Sequence, residues 1–252
     1  MVSLLRQPRP RAADGVMSIA QRLLDQRLAE QPDLDKIHDY WRGEQDHPFT
    51  PRGAPEDVRR LARMSRVNIL DIVVTALSQT LYVDGYREDG VDSDDAIWAT
   101  WQHNKLDAEQ SGVHESSIAY GVSYVTVLPG DPTPVIRGYS PRFMTALYGD
   151  DPDWPLWALA AEPNGDRWMY RLYDAEAVHY LESDANGDGL ALNETREHGV
   201  GVTPVVRFRN RIDLDEDNQG EVEKLFEIQD QIDHTTFGLK VAEHFGAFKQ
   251  RY

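Results

Sequence analysis

Residues 94–141, DDAIWATWQHNKLDAEQSGVHESSIAYGVSYVTVLPGDPTPVIRGYSP, are the stretch that decides the fold. Ser93 or Asp94 predicts the N-cap of a helix whose tryptophans face one way and belong to the core. Asn104 predicts a left-handed stop, because asparagine tolerates positive φ. The stretch holds no cluster of nucleophile, base or metal-ligating residues, so it indicates packing and assembly rather than chemistry.

The second half of this stretch predicts a helix followed by a strand. Asp107 and Gln110 predict a capping box that opens the helix, and Gly121 predicts its end. Val122–Leu128 is typical of a strand. The predicted helix is rich in small residues, which permit close approach of another backbone: Ser111, Gly112, Ser116, Ser117 and Ala119.

The residues before this stretch predict further helices. Apolar spacing predicts a helix at 16–30, which Pro32 interrupts, and a short helical piece at 33–41. Prolines and a glycine at 47–55 predict a connection, after which a helix begins near Glu56.

Asn68 and Asp71 resemble an N-cap and its N3 partner, and they predict a helix that reaches Leu81. Its buried stripe is predicted to contain Leu70, Val73, Val74, Leu77 and Leu81. The apolar run at 69–81 is shorter than the ~20 residues that a membrane span needs.

The residues after this stretch predict a sheet and then one long helix. Turn signals recur roughly every 8–12 residues between positions 129 and 210, which predicts an antiparallel meander. Residues 221–252 form a helical pattern without proline, opened by Asp217 or Asn218. Helices first, an antiparallel sheet second and a long helix last predict the α+β class.

Composition narrows the function classes. The 252 residues contain no cysteine, which excludes disulfides and thiolate sites, and they carry a net charge of −17. Residues 1–75 are nearly neutral, so the acidic charge lies in the rest of the chain. Such a surface repels phosphate backbones and disfavours proteins that grip DNA or RNA, but not a protein that surrounds DNA without holding it. Arg6, Arg9 and Arg11 fit a frayed terminus better than a basic arm.

Candidate chemical motifs fail in turn. The DANGDG stretch at 184–189 has oxygen ligands at calcium-loop spacing but lacks the glutamate at position twelve, so it favours a hairpin turn. The acidic loop at 213–217 precedes a helix and favours a dipole role over a metal site. Ser123 lacks the second glycine of a nucleophile elbow, and His234 and His244 lack metal-ligand spacing. No catalytic residue, metal ligand or cofactor site is therefore predicted.

The long helix predicts an assembly surface. Gly238 and Gly246 weaken a helix, and they make sense if another helix packs close by. An apolar series forms a seam that a small domain cannot cover, although a helix lying across its own sheet explains the spacing equally well: Leu225, Ile228, Ile232, Leu239 and Ala242. Three lysines are candidates for contact with DNA phosphates, with a solvated helix face as the plainer alternative: Lys224, Lys240 and Lys249.

Five elements, in the same order, resemble the portal proteins of tailed double-stranded-DNA bacteriophages, in particular the siphophage type of actinobacterial phages. They are DYWRGE; RVNILDIVVTALSQTLYVDGYR; IWATWQHNKLD with AYGVSYVTV and GYSP; GVTPVVRFRNR; and EVEKLFEIQDQIDHTTF.

This resemblance implies a structural protein that is not an enzyme. It would form a ring, usually a dodecamer, at one capsid vertex of the virion, after assembly in the host cytoplasm. Double-stranded DNA would pass through the channel during packaging and ejection, without sequence specificity. The implied partners are the terminase large subunit, the major capsid and scaffolding proteins and the head-to-tail adaptor, with no membrane.

The resemblance also implies a division of the chain. Residues 1–65 would be an N-terminal helical region, 66–215 an α+β wing-like body, and 216–252 a helix entering the stem. Portals of this type continue into a clip, so we expect either a fragment, such as the product of a degraded prophage gene, or a shortened chain. The alternatives are another virion or head-completion protein and, through the Asp184 loop, a calcium-binding hydrolase.

Overall fold

The structure is a computed structural model that describes residues 15–86, 95–152, 154–212 and 219–249. The helices are α1 (Val16–Arg42), α2 (Glu56–Arg63), α3 (Leu70–Ser78), α4 (Asp95–His103), α5 (Leu106–Tyr120) and α6 (Phe226–Lys249), with a 3-10 turn at Glu223–Leu225. The strands are β1 (Val122–Leu128), β2 (Val135–Tyr139), β3 (Met144–Tyr148), β4 (Pro155–Asn164), β5 (Arg167–Tyr173), β6 (Ala177–Asp184), β7 (Ala191–Glu197) and β8 (Val205–Arg209). The predicted α+β class is confirmed. Among the described helices, none combines the length and the apolar character of a membrane span.

Helix α1 runs through Pro32 without a break, so the prediction of two helical pieces was wrong. A proline inside a helix removes one backbone hydrogen bond. Burial on both sides of it compensates, because Leu23 and Leu24 pack on the sheet while Ile37 and Trp41 pack among helices. The helix ends where the chain turns at Gly43, in the left-handed conformation.

Helix α3 is shorter than predicted. Asn68 Oδ1 accepts the Asp71 amide at 3.2 Å, as the predicted cap requires. The helix ends at Ser78 because Thr80 Oγ1 donates to Leu77 O at 2.7 Å and the chain tightens there. Leu77 and Leu81 are therefore exposed, and only the first part of the predicted buried stripe is correct.

The junction between α4 and α5 differs from the prediction in detail. The left-handed residue is Lys105, with φ 55°, and not Asn104. Asn104 instead uses its side chain, which donates to Pro134 O at 2.9 Å and accepts the Ile136 amide at 2.9 Å. The predicted capping box was also wrong: Asp107 accepts Trp101 Nε1 at 3.0 Å, and Gln110 bonds the backbone of Val83. Both side chains are bonded to residues outside α5, so they are not free to cap it.

The strands form two antiparallel sheets rather than one meander. Strands β3 to β7 follow one another in order, and this five-stranded sheet confirms the predicted meander for that part of the chain. The other sheet has the order β2-β1-β8, so β1 is its central strand. Tyr124 in β1 lies between Tyr139 on one side and Arg207 on the other.

Three clusters of buried side chains hold these layers together. The first joins the start of α1 to the five-stranded sheet, through Ile19 and Leu159 among others. The second joins the end of α1 to α3, α5 and Val222. The third lies between the two sheets and includes Tyr124 and Tyr173. Helix α1 therefore ties the five-stranded sheet to the helical layer.

The start of the long helix is fixed by a close contact of backbones. Gly121 ends α5 with φ 90°, as predicted. Gly220 lies against this end, and a Cβ placed on it would come within 1.9 Å of Ala119 O. The Glu221 amide donates to Ile118 O at 2.8 Å in the same place. Glycine at position 220 is therefore what lets the chain enter α6 from this point.

We expect Gly220→Ala to lower the free energy of unfolding by about 3 kcal/mol, because the added methyl meets backbone that cannot move aside. Gly112→Ala, on the exposed side of α5 with no atom within 4 Å, is the matched control. It should raise the free energy of unfolding by about 1 kcal/mol through helix propensity. Urea titration measures both, and equal effects would contradict this account of Gly220.

Candidate functional site

The first half of α6 is anchored by a buried carboxylate. Asp233 is 2% exposed, and it accepts hydrogen bonds from Gln45 Nε2 at 2.9 Å and from the Val67 amide at 3.0 Å. Gln229, one turn earlier, donates to Asp233 at 3.0 Å and also to Val67 O. Among the described residues no cation pairs with Asp233. Because an unsatisfied buried carboxylate is strongly unfavourable, these donors fix α6 against the segments before α2 and α3.

A second contact fixes the same part of α6 to α1. The ring of Tyr40 packs on Phe226 with centroids 4.2 Å apart, and Lys36 Nζ lies 4.8 Å from the centre of the Phe226 ring. The Tyr40 hydroxyl donates to Asp230 Oδ1 at 2.9 Å. Burial, aided by Asp230, raises the pKa of Tyr40 to about 12. Burial also raises the pKa of Tyr120, whose oxygen lies 2.9 Å from His38 Nδ1, to about 12.

The second half of α6 lacks comparable contacts within the described residues. Beyond Asp233 no described side chain of α6 is fully buried, and Leu239 is 61% exposed. At about 100° per residue, Ile228, Leu239 and Gly246 fall on one stripe, and Asp233 lies about a third of a turn away. Leu225 of the predicted seam packs against the second cluster, so the seam is a largely exposed stripe only from Ile228 onward. The alternative, in which the helix lies across its own sheet, does not fit this exposure.

The predicted site residues take different positions along this helix. Lys224 lies before α6 and its Nζ is 3.3 Å from Glu221 Oε1, so it belongs to the anchored part. Gly238 and Gly246 are exposed, and an added Cβ would meet no atom within 4 Å at either. Lys240 is half-buried. Lys249 ends the helix, and its side chain lies outside the described residues.

The other sequence candidates have structural explanations where they are described. The Asp184 loop is the turn between β6 and β7, and Asp184 Oδ1 accepts the amides of Asn186 and Asp188 at 2.9 Å. Ser123 is buried and donates to Val113 O at 2.9 Å. Across the described residues, no three side chains of the metal-binding type come together. Residues 1–14, 93–94 and 213–218 lie outside the described residues, and with them Arg6, Arg9, Arg11, the candidate caps of α4 and the acidic loop. Because α6 begins only at Phe226, after a 3-10 turn, the prediction that Asp217 or Asn218 opens this helix was wrong.

Sequence reasoning missed the residues that anchor α6. The signal that was available is the pair Gln229 and Asp233, two polar residues spaced i, i+4 on the side of the helix next to the apolar series. Gln45 and Val67 gave no signal, because the loops that carry them are brought to α6 only by the tertiary fold.

Comparison with known proteins gives one family. The family model described as "Phage portal protein, SPP1 Gp6-like" matches residues 20–251. The portal protein of Mycobacterium phage D29 is 27% identical over an alignment of 183 residues that covers 64% of this chain and 36% of that protein. The portal protein of Mycobacterium phage L5 is 26% identical over an alignment of 184 residues that covers 64% of this chain and 35% of that protein. The chain thus matches about a third of the length of these relatives.

We expect Asp233→Asn to lower the free energy of unfolding by about 2–3 kcal/mol, because its amide would place a donor against groups that already donate. Glu243→Gln is the matched control, since Glu243 lies exposed on the second half of α6 and the change should alter stability by at most about 0.5 kcal/mol. Urea titration gives both values, and limited proteolysis should show α6 cut faster in Asp233→Asn only. Equal effects would show that the buried carboxylate is not the anchor.

Alkaline pH should lower the free energy of unfolding, because Tyr40 and Tyr120 in the helical layer have raised pKa values. A tyrosine in the unfolded chain loses its proton near pH 10, whereas folded Tyr40 and Tyr120 keep theirs to about 12. Between these values the unfolded state binds fewer protons, so stability is fully present below about pH 10 and falls as pH rises towards 12. Tyr40→Phe keeps the ring contact and should make this fall shallower in urea titrations at increasing pH. An unchanged slope would contradict the assignment.

Proposed function

This chain belongs to the SPP1 Gp6-like family of phage portal proteins, and we propose from that membership that it is the body and first stem segment of a ring-forming subunit. The ring would stand at one vertex of the capsid and surround a channel through which double-stranded DNA passes during packaging and ejection. We propose a ring of twelve subunits.

The observation that carries the proposal is the two-part character of α6. Its first half is held by Asp233 and Tyr40, whereas residues 234–249 extend for roughly 24 Å with an exposed apolar stripe. A single subunit leaves such a stripe in water, which is unfavourable. Neighbouring copies of the same helix, placed around a symmetry axis, would cover it.

We propose the following division of labour along the chain. Residues 66–215 form the wing-like body, 216–252 enter the stem, and 1–65 form a helical region that supports both. The support for this division is the position of α1, which contacts the five-stranded sheet at one end and the base of α6 at the other.

The proposed role is structural rather than catalytic. The acidic balance of the chain suits a channel that lets DNA slide, because few phosphates would be held by cations. Lys240 and Lys249 would be the sparse basic positions of the stem, and Gly238 and Gly246 would allow neighbouring helices to approach closely. For the whole protein we propose the terminase large subunit, the major capsid and scaffolding proteins and the head-to-tail adaptor as partners. Assembly would take place in the host cytoplasm, before the ring is part of the virion.

Negative-stain microscopy combined with light scattering tests the ring directly. The expected result is a population of rings with a central hole, and a molar mass that is a whole multiple of the subunit mass. A strict monomer at high concentration would overturn the proposal.

The seam predicts a matched pair of variants. Leu239→Asp should leave the subunit folded, because the side chain is already 61% exposed, but it should abolish rings by placing a charge in a packed helix interface. Leu239→Met keeps an apolar side chain of similar volume and should form rings normally. Circular dichroism checks folding and microscopy counts rings. Rings that survive Leu239→Asp would show that the seam does not face another subunit.

A further inference from the structure

A second surface, outside α6, has the features of one side of a protein–protein contact. The loop between α1 and α2 carries Phe49 with 78% of its surface exposed, the most exposed of the described large apolar side chains. Pro48 and Pro51 flank it, and each proline fixes one backbone angle. A stiff segment that presents a bare aromatic ring loses little conformational entropy when the ring is buried.

An apolar cavity that could hold such a ring lies on another part of the molecule. A cavity of about 300 Å³ opens between α5, the segment 81–86 and the three-stranded sheet. Its volume is at the lower end of small-ligand pockets and suits one aromatic side chain. Val83 and Phe208 on its wall are more than a third exposed, so the cavity is open to solvent. Its wall is mostly apolar: Trp101, Leu106, Val113, Val125, Ile136 and Phe208.

The two polar lining residues do not change this character. The Gln110 side chain is occupied, because it accepts the Val83 amide at 2.8 Å and donates to Val83 O at 3.3 Å. Burial lowers the pKa of His114, which favours its neutral form. The cavity therefore favours an apolar occupant over a charged one.

The segment that carries Phe49 and the helical side of the cavity have opposite net charges. Residues 47–66 carry five arginines against Glu56 and Asp57, a net charge of +3. Helix α5 and the segment 81–86 together carry four carboxylates and neither lysine nor arginine, a net charge of −4. The sheet wall carries three arginines; one of them, Arg207, is turned to Pro152 O at 3.0 Å and to the ring of Tyr148. The opening of the cavity is therefore acidic on the side formed by α5 and the segment 81–86.

We propose that Phe49 of one subunit inserts into this cavity of a second copy of the chain. Because Phe49 is exposed in its own subunit, it does not fill its own cavity. A contact between two different surfaces of identical chains is head-to-tail, and repeated contacts of this kind close into a ring when the rotation allows it. The inference rests on the proposed ring and names a contact in it that is separate from the α6 seam. The basic segment 47–66 lies along the acidic helix α5 of the neighbour.

Cysteine cross-linking tests the contact, since the chain has no cysteine of its own. Thr50→Cys places a thiol beside Phe49, and Asp84→Cys places one beside the opening of the cavity. Both Phe49 and Val83 are retained. With a short bis-maleimide, the double variant should give a ladder of products beyond dimers on a denaturing gel. Either single variant can give dimers at most.

Phe49→Ala in the double-cysteine background should remove the ladder, with association weakened at least about 30-fold, as for a buried aromatic anchor. Met64→Ala is the matched control, because Met64 is a 59% exposed side chain of the same segment. Both variants should unfold at the parent's temperature. Arg59→Glu with Arg60→Glu should slow cross-linking at low salt and have less effect at high salt.

The outcomes separate this contact from the ring itself. A ladder that Phe49→Ala removes and Met64→Ala keeps supports the contact, even if microscopy shows open chains instead of rings. Rings without a ladder overturn the contact and leave the ring intact. A ladder that survives Phe49→Ala unchanged also overturns it. Monomers without a ladder overturn both the contact and the proposed function.

Discussion

The buried carboxylate of Asp233 constrains how the helices of this subunit are arranged. Asp233 lies in the interior without a described cation, so its charge is stabilised only by donors that come from three separate parts of the chain. Gln45 follows α1, Val67 precedes α3, and Gln229 belongs to α6 itself. All three must be in place together, because a missing donor leaves part of a buried charge uncompensated. The direction in which α6 leaves the body is therefore a property of the whole helical layer and not of the helix alone.

Sequence patterns predicted elements well wherever the determining contacts are local. Gly121 ended its helix and Asn68 accepted the Asp71 amide as expected, since caps depend on neighbours in the chain. The predictions failed where a partner outside the helix competed. Asp107 was taken by Trp101, Asn104 was taken by the strand at Ile136, and Pro32 was tolerated because both halves of α1 are buried. The site followed the same rule: the exposed seam was visible as a periodic pattern, whereas the anchor depends on loops that meet only in the folded chain.

Two kinds of self-contact are proposed for this subunit, and they differ in what they can determine. The proposed contacts along α6 would bring like helices side by side near the axis, where small changes of tilt would alter many contacts at once. A phenylalanine side chain bound in a cavity fixes the position and the orientation of the neighbouring subunit, because it joins two different surfaces. The first kind suits a channel wall that must adapt to its contents, and the second kind suits a fixed order of subunits around the axis.

Helix α1 has a mechanical consequence. Its 27 residues span about 40 Å, with one end held in the sheet cluster and the other against the base of α6. The backbone hydrogen bonds of a helix run along its axis, so a pull at one end of α1 strains them directly. A pull on the second half of α6 would therefore reach the five-stranded sheet through α1.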